Sequence, residues 1–213
     1  MSDAIGFASF VMRVRSAGVD AASVLNAIER AGRDRYLDPD DRRRAHADET
    51  LPLPCGQAIE RLDDTVRMVL ALNLDERHRA LEIGTGSGFL TDLLAQSAKR
   101  VVTLDRYRTL LTEAKERHAE RELRNITYHQ RDANEPGDLG GSFDRIVSTV
   151  AFEAPPKPYV DLLVAEGVMV APIGPSEGPQ IVTKLTRIGS RFEREPLFEG
   201  WFPAAEQGVA HAL

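Results

Sequence analysis

The stretch Leu81-Glu82-Ile83-Gly84-Thr85-Gly86-Ser87-Gly88-Phe89 constrains this chain more than any other. Arg79 to Ile83 reads as a short apolar strand that runs into glycines at alternate positions, and Phe89 to Ala98 reads as a helix. Glycines let a backbone come close to a ligand. A strand that turns through glycines into a helix is where doubly wound folds receive nucleotide-type ligands. The dinucleotide fingerprint G-x-G-x-x-G/A needs a small residue where Phe89 stands. That fingerprint is broken, and an acidic-x-G-x-G-x-G pattern remains.

The rest of the chain surrounds this turn with alternating elements. Downstream, strands are expected at Arg100 to Leu104, Asn125 to His129, Phe143 to Thr149 and Gly167 to Ala171. Tyr107, Leu110, Leu111, Ala114 and His118 share one face of an intervening helix, and Pro158 to Leu163 begins another. Gln180 to Ile188 and Phe192 to Phe198 read as a closing antiparallel pair around Gly189. Such alternation argues for a parallel sheet covered on both faces. Upstream, Phe7, Phe10, Val11 and Val14 lie at helical spacing, with Gly18 as a stop. Asp20 reads as a cap for a second helix carrying Val24, Leu25 and Ile28, which Gly32 closes. Residues 1–48 are therefore expected to form an N-terminal helical cap, and residues 49–213 one compact core. Residues 49–60, punctuated by Pro52, Pro54 and Gly56, read as a loop before a helix with Leu62, Val66, Val69 and Leu70 along one face.

Composition removes several classes of function. The 33 acidic residues outnumber the 27 basic ones, which disfavours general nucleic-acid binding. Arg42-Arg43-Arg44 reads as a solvated face. No apolar run approaches bilayer length, and the N-terminus has no secretory pattern. The single cysteine, Cys55, permits no intramolecular disulfide and suits a reducing cytoplasm; in its loop it reads as a small filler rather than a nucleophile. The five histidines show no metal-ligand spacing, so no metal is assigned.

Asp105 ends its strand 21 residues after Gly84 (105 − 84), close to the ~20 expected of an acid that binds a ribose. The alternative reading of Asp105 is a helix cap. The acidic-x-G-x-G-x-G turn resembles the first motif of S-adenosylmethionine-dependent methyltransferases. That resemblance implies that Glu82, Gly84, Thr85, Gly86, Ser87 and Gly88 surround the methionine end of S-adenosyl-L-methionine, with Glu82 supporting the loop or the ammonium through water. It also implies that Asp105 with Arg106 holds the ribose, and that Asp132 followed by Ala133 holds the adenine.

The whole chain resembles the protein-L-isoaspartate O-methyltransferase family. The match includes Val24-Leu25-Asn26-Ala27, Leu51-Pro52, Gly56-Gln57, the glycine motif, Phe143-Asp144-Arg145-Ile146-Val147 and Glu166 to Gly174 with its Pro-Ile-Gly end. It implies an α/β, Rossmann-like methyltransferase fold with a mostly parallel, doubly wound sheet, often with altered order of the last strands. It further implies a protein or peptide carboxylate as acceptor. A small molecule is the alternative acceptor; a monomer is expected, with a dimer left open. The departures fall on the acceptor side. The family has glycine-glutamine-threonine-isoleucine-serine where this chain has Gly56-Gln57-Ala58-Ile59-Glu60. Gln57, Ala58 and Ile59 form the expected substrate loop, and Glu60 stands at the serine place. After the fourth strand only Thr149 matches the family's threonine-alanine-alanine-proline. Glu60 and Thr149 are the candidate catalytic residues. A carboxylate at position 60 leaves three readings open: isoaspartyl methylation of altered strength, a changed acceptor such as an amine or hydroxyl, and a cofactor-binding protein with little catalysis. Trp201 and Phe202 are expected to be buried at the C-terminal sheet edge.

Overall fold

The computed structural model of the chain describes residues 2–19 and 21–210. Its centre is a seven-stranded sheet built from β3 (Arg79–Ile83), β4 (Arg100–Asp105), β5 (Ile126–Gln130), β6 (Phe143–Ser148), β7 (Leu163–Ile173), β8 (Gln180–Ile188) and β9 (Arg191–Gly200). The order across the sheet is β5-β4-β3-β6-β7-β8-β9. The first five strands are mutually parallel, and β8 and β9 add an antiparallel meander. Four successive residues of β3, Ala80 to Ile83, are fully buried, as a strand covered on both faces requires. Successive residues point to opposite faces. Ala80, Val101 and Val147 therefore join one apolar cluster, while Leu81, Val102 and Ile146 join another.

The first of these clusters is also filled by the N-terminal part of the chain. Helices α1 (Ser2–Ser16), α2 (Ala22–Ala31) and α3 (Leu62–Leu72) contribute Phe10, Ile28 and Met68 to it, and α4 (Phe89–Ala95) contributes Phe89. Arg13 ties α1 to α3 by donating to both oxygens of Asp63, at 2.9 and 2.8 Å. Gly32 ends α2 in the left-handed region, φ 67°, as its position predicts. The proposed cap at Asp20 lies outside the described residues. Helix α5 (Arg108–Glu120) runs between β4 and β5, and α6 (Lys157–Val160) is a single turn. Among the described residues no helix is long and apolar enough to cross a membrane.

Several expectations need correction. Residues 49–60 are not simply a loop: β1 (Leu51–Leu53) and β2 (Gln57–Ile59) pair antiparallel, with Leu51 opposite Ile59 and both buried. Prolines within a three-residue strand hide its period, and the pairing is stabilised by the core beneath it. The helix after Gly88 stops at Ala95, short of Ala98. The helix expected from Pro158 to Leu163 covers only Lys157–Val160, because Leu163 already begins β7 beside Phe143. That strand continues through Pro172 to Ile173. Phe202 is buried as expected, but Trp201 is 66% exposed.

Candidate functional site

The chain leaves β3 toward β4 and β5, then returns to the other side of β3 to form β6. The carboxyl ends of β3 and β6 therefore flank the switch point, where open α/β sheets form their ligand crevice. A cleft of about 600 Å³, counting its open mouth, lies there. Its lining includes Gly84 and Gly86 from the turn, Asp105, Arg106 and Tyr107 after β4, Ala133 after β5, and Thr149 and Val150 after β6.

The glycine turn has the form its sequence predicts. Gly84, Gly86 and Gly88 take φ of 91°, 52° and 88°, values that residues with a β-carbon rarely adopt. A β-carbon on Gly84 would also collide with the Thr149 hydroxyl, which donates to the Gly84 carbonyl at 2.9 Å. Gly86 N–H donates to Asp105 Oδ2 and Tyr107 N–H to Asp105 Oδ1, each at 2.9 Å. These bonds turn the Asp105 carboxylate to the edge of the cleft. Burial holds its pKa above the usual carboxylate range, against the pull of those two N–H groups.

Glu82 lies wholly buried behind the turn. Its Oε2 accepts the hydroxyls of Thr91 at 2.5 Å and Thr103 at 2.6 Å, and Thr103 meets Thr85 at 2.6 Å. Its Oε1 has no partner among the described residues. Burial, reinforced by the charges of Glu60 and Asp105, pushes the Glu82 pKa up to about 8. An orphaned buried carboxylate oxygen is costly and calls for a donor or a cation. A smaller cavity of about 260 Å³ is lined by Glu82, Glu60, Thr85, Ser87, Ala58, Ile59 and Thr149. Glu82 and Thr85 to Ser87 thus surround one end of the site.

The β1–β2 hairpin forms one wall. Leu53, Gln57 and Ala58 face the cleft, and Gln57 Nε2 reaches Tyr107 Oη at 3.4 Å across it. Ile59 is turned into the core. Glu60 does not line the main cleft. Its carboxylate accepts the Thr65 hydroxyl at 2.9 Å, toward the start of α3, and its carbonyl accepts from the buried Arg33 at 2.7 Å. Arg33, from the turn after α2, also donates to Ala45 O at 2.9 Å, which anchors the hairpin base from beneath.

Asp132 does not line the cleft either. Its oxygens accept N–H groups of Asn134 at 2.7 Å and Gly208 at 2.5 Å. Burial raises its pKa, but these donors outweigh that effect and hold it below the usual range. The segment that reaches Asp132, residues 203–210, is the feature that sequence reasoning missed. It crosses the cleft as a strap: Ala205 N–H donates to Ala151 O at 2.8 Å, Ala210 N–H to Arg106 O at 3.1 Å, and Arg106 pairs with Glu206. Pro203, Ala204, Ala205 and Glu206 close the side opposite the hairpin. The strap has no periodicity to betray it. Among the described residues no group of three or more His, Cys, Asp or Glu could hold a metal ion.

The cleft is lined mostly by apolar residues. The Asp105 carboxylate stands at its edge, an unpartnered buried acid lies behind the adjoining cavity, and the glycine turn lets backbone approach closely. These acceptors suit a ligand with hydroxyl donors and a cationic end.

Comparison with known proteins points the same way. Residues 8–202 match the family model of protein-L-isoaspartate(D-aspartate) O-methyltransferase. A protein-L-isoaspartate O-methyltransferase of Rhizobium meliloti (strain 1021) is 38% identical over 190 residues, 88% of this chain and 92% of that one. The enzyme of the same name from Bradyrhizobium sp. (strain ORS 278) is 36% identical over 96% of this chain and 95% of its own. In fold, the chain is similar to a Plasmodium falciparum protein described as a protein-L-isoaspartate O-methyltransferase and solved with S-adenosyl-L-homocysteine. The TM-score is 0.79 at 20% identity, covering 93% of this chain and 97% of that one.

Proposed function

Because the chain belongs to the protein-L-isoaspartate O-methyltransferase family, we propose that it methylates the free carboxylate of L-isoaspartyl residues in proteins and peptides, using S-adenosyl-L-methionine. The observation that carries this reading is the glycine turn packed against Thr149, with Asp105 and the unpartnered oxygen of Glu82 on its two sides. When bound, the cofactor supplies an electrophilic methyl group on a sulfonium. Asp105 accepts the ribose hydroxyls beside Arg106. Glu82 answers the cationic methionine end, within the shell formed by Gly84, Thr85, Gly86, Ser87 and Gly88. Ala133 offers a small wall to the adenine, while Asp132, expected beside it, holds Asn134 and Gly208 and so shapes that end of the slot from outside the cleft.

The acceptor needs no general base, because a carboxylate is ionised near pH 7. The residues around it have two tasks, alignment and exclusion of water. Gln57, Ala58 and Ile59 bring the acceptor to the hairpin wall, and the Thr149 turn faces it from β6. The hydroxyl the family carries at position 60 is missing here. Two carboxylates about 4 Å apart repel by about 4 kcal/mol at an effective dielectric of 20. The bond to Thr65 draws the Glu60 charge toward α3 and so limits that repulsion. The lone cysteine suits a reducing compartment such as the cytoplasm.

The test is single-turnover transfer from radiolabelled S-adenosyl-L-methionine to an isoaspartyl peptide, with calorimetric cofactor binding on the same sample. Binding with transfer establishes the reading. Binding without transfer moves the search to another acceptor, and a folded sample that does not bind overturns the cofactor site.

A further inference from the structure

The back of the glycine turn is held by the last turns of α5, a helix whose first turn lines the cleft through Leu110. From α5, Arg117 Nη1 donates to the Ser87 carbonyl at 3.0 Å, while its Nη2 is held by Glu113 at 3.0 Å. One residue on, His118 Nε2 lies 2.8 Å from the Gly88 carbonyl, and its Nδ1 lies 2.8 Å from Tyr128 Oη on β5. A carbonyl only accepts, so Nε2 carries the proton, Nδ1 is the acceptor and Tyr128 donates. His118 is 1% exposed, and burial lowers its pKa, which keeps the ring neutral with that single proton. The fit is tight. A β-carbon on Gly88 would stand 2.9 Å from His118 Nε2 and from Ala114 Cβ. Gly88 is therefore glycine for two reasons: its φ, and the imidazole docked against it.

We propose that His118 is a positioning residue for the cofactor-binding turn: the relay Tyr128–His118–Gly88 fixes the last peptide plane of the turn, and Arg117 fixes the one before it. The inference rests on the cofactor reading above. Ser87 and Gly88 end the turn whose other end, at Gly84, lines the cleft. Without the relay the turn samples other geometries, and binding must select the competent one. The acceptor wall, built by the β1–β2 hairpin and the Thr149 turn, makes no bond to His118. The relay therefore acts on the cofactor and not on the peptide.

The test compares His118→Leu, His118→Gln and Tyr128→Phe with the natural chain. Cofactor Kd is read by calorimetry, KM for an isoaspartyl peptide and kcat at saturating cofactor by steady-state transfer, and folding by thermal melts. Leu keeps the bulk and loses the donor, so cofactor Kd rises about tenfold, equivalent to about 1.4 kcal/mol, the scale of one lost hydrogen bond. Peptide KM and kcat stay within about twofold, because uniform binding alone is changed. Gln returns a donor and recovers most of the affinity. Phe frees the imidazole to change tautomer and raises Kd by a smaller factor in the same direction. A folded Leu variant with unchanged Kd, or with Kd, peptide KM and kcat all shifted alike, overturns the inference. If the Leu variant does not fold, Tyr128→Phe decides, and an unchanged Kd there overturns it. Failure of the natural chain to bind cofactor overturns the earlier reading instead, so the two failures are distinct.

Discussion

The hydroxyl of Thr149 donates to the carbonyl of Gly84 at 2.9 Å, joining the ends of two neighbouring parallel strands. It also fills the space a β-carbon on Gly84 would need. The turn after β6 and the first residue of the glycine turn therefore move as one unit. In the proposed assignment, the acceptor side and the cofactor side of the slot meet at this bond.

Thr149→Val keeps the shape and removes the donor. It is expected to lower kcat/KM for an isoaspartyl peptide about tenfold, near the 1.4 kcal/mol scale of a single bond in a positioned site. Thr149→Ser is expected to retain most of the rate. Gly84→Ala adds both a collision and a strained φ, at a cost of about 1–3 kcal/mol, and is expected to abolish measurable cofactor binding in a chain that still folds. Equal rates for the Val variant and the natural chain would remove the bond from the mechanism.

Glu82 makes stability depend on pH. Its ordinary value of 4.5 applies to the unfolded chain, and burial lifts the folded value to about 8. Between these values the folded state binds its proton more tightly. The stabilisation is complete below about pH 4.5 and is lost as pH rises through 8. Glu82→Gln removes that titration. The Tm of the variant minus that of the natural chain is expected to grow from about pH 4 to about pH 9, the range that spans both values. A constant difference across that range would mean that Glu82 does not titrate there. The same variant is expected to bind cofactor more weakly, by a margin that grows as pH rises toward 8, because only the ionised carboxylate attracts a cation.

Glu60→Ser restores the hydroxyl that the family places there and removes a like charge from the acceptor side. Relief of that repulsion is expected to raise kcat/KM for an isoaspartyl peptide about tenfold, equivalent to about 1.4 kcal/mol. Glu60→Gln is expected to give a smaller rise in the same direction. A fall in rate for both variants would assign Glu60 a positive role and return attention to a changed acceptor.

The strap at residues 203–210 crosses the slot and is pinned by the pair between Arg106 and Glu206. Glu206 is exposed, and an exposed pair contributes roughly 0–1 kcal/mol, so Glu206→Ala is expected to leave Tm nearly unchanged. Cofactor dissociation, which needs the strap to lift, is expected to accelerate about threefold by stopped flow, since loop opening often sets release. Equal dissociation rates would show that the pair does not gate the slot.

How much of this was legible beforehand follows from the range of each signal. The glycine turn, the strand before it, Asp105 at the end of β4 and the covered parallel sheet are local patterns. Positive φ, alternating burial and strand-end acids can be read within a few residues. The hairpin at Leu51 to Ile59 was not legible, because three-residue strands have no period and their pairing depends on Leu51 and Ile59 entering a core assembled from distant helices. Trp201 was misjudged for the same reason: apolar character does not reveal which side of a sheet edge faces water.

The α/β class, the glycine turn and the family are written in neighbouring residues, because backbone conformation at glycines and hydrophobic period are local. Which groups share the slot depends on chain closure. It turned Glu60 toward Thr65, brought Gly208 to Asp132, set the relay of Tyr128 and His118 behind Gly88, and left one oxygen of Glu82 without a partner. These contacts join residues from 5 to 76 positions apart, and they form only when the whole chain has closed around the sheet.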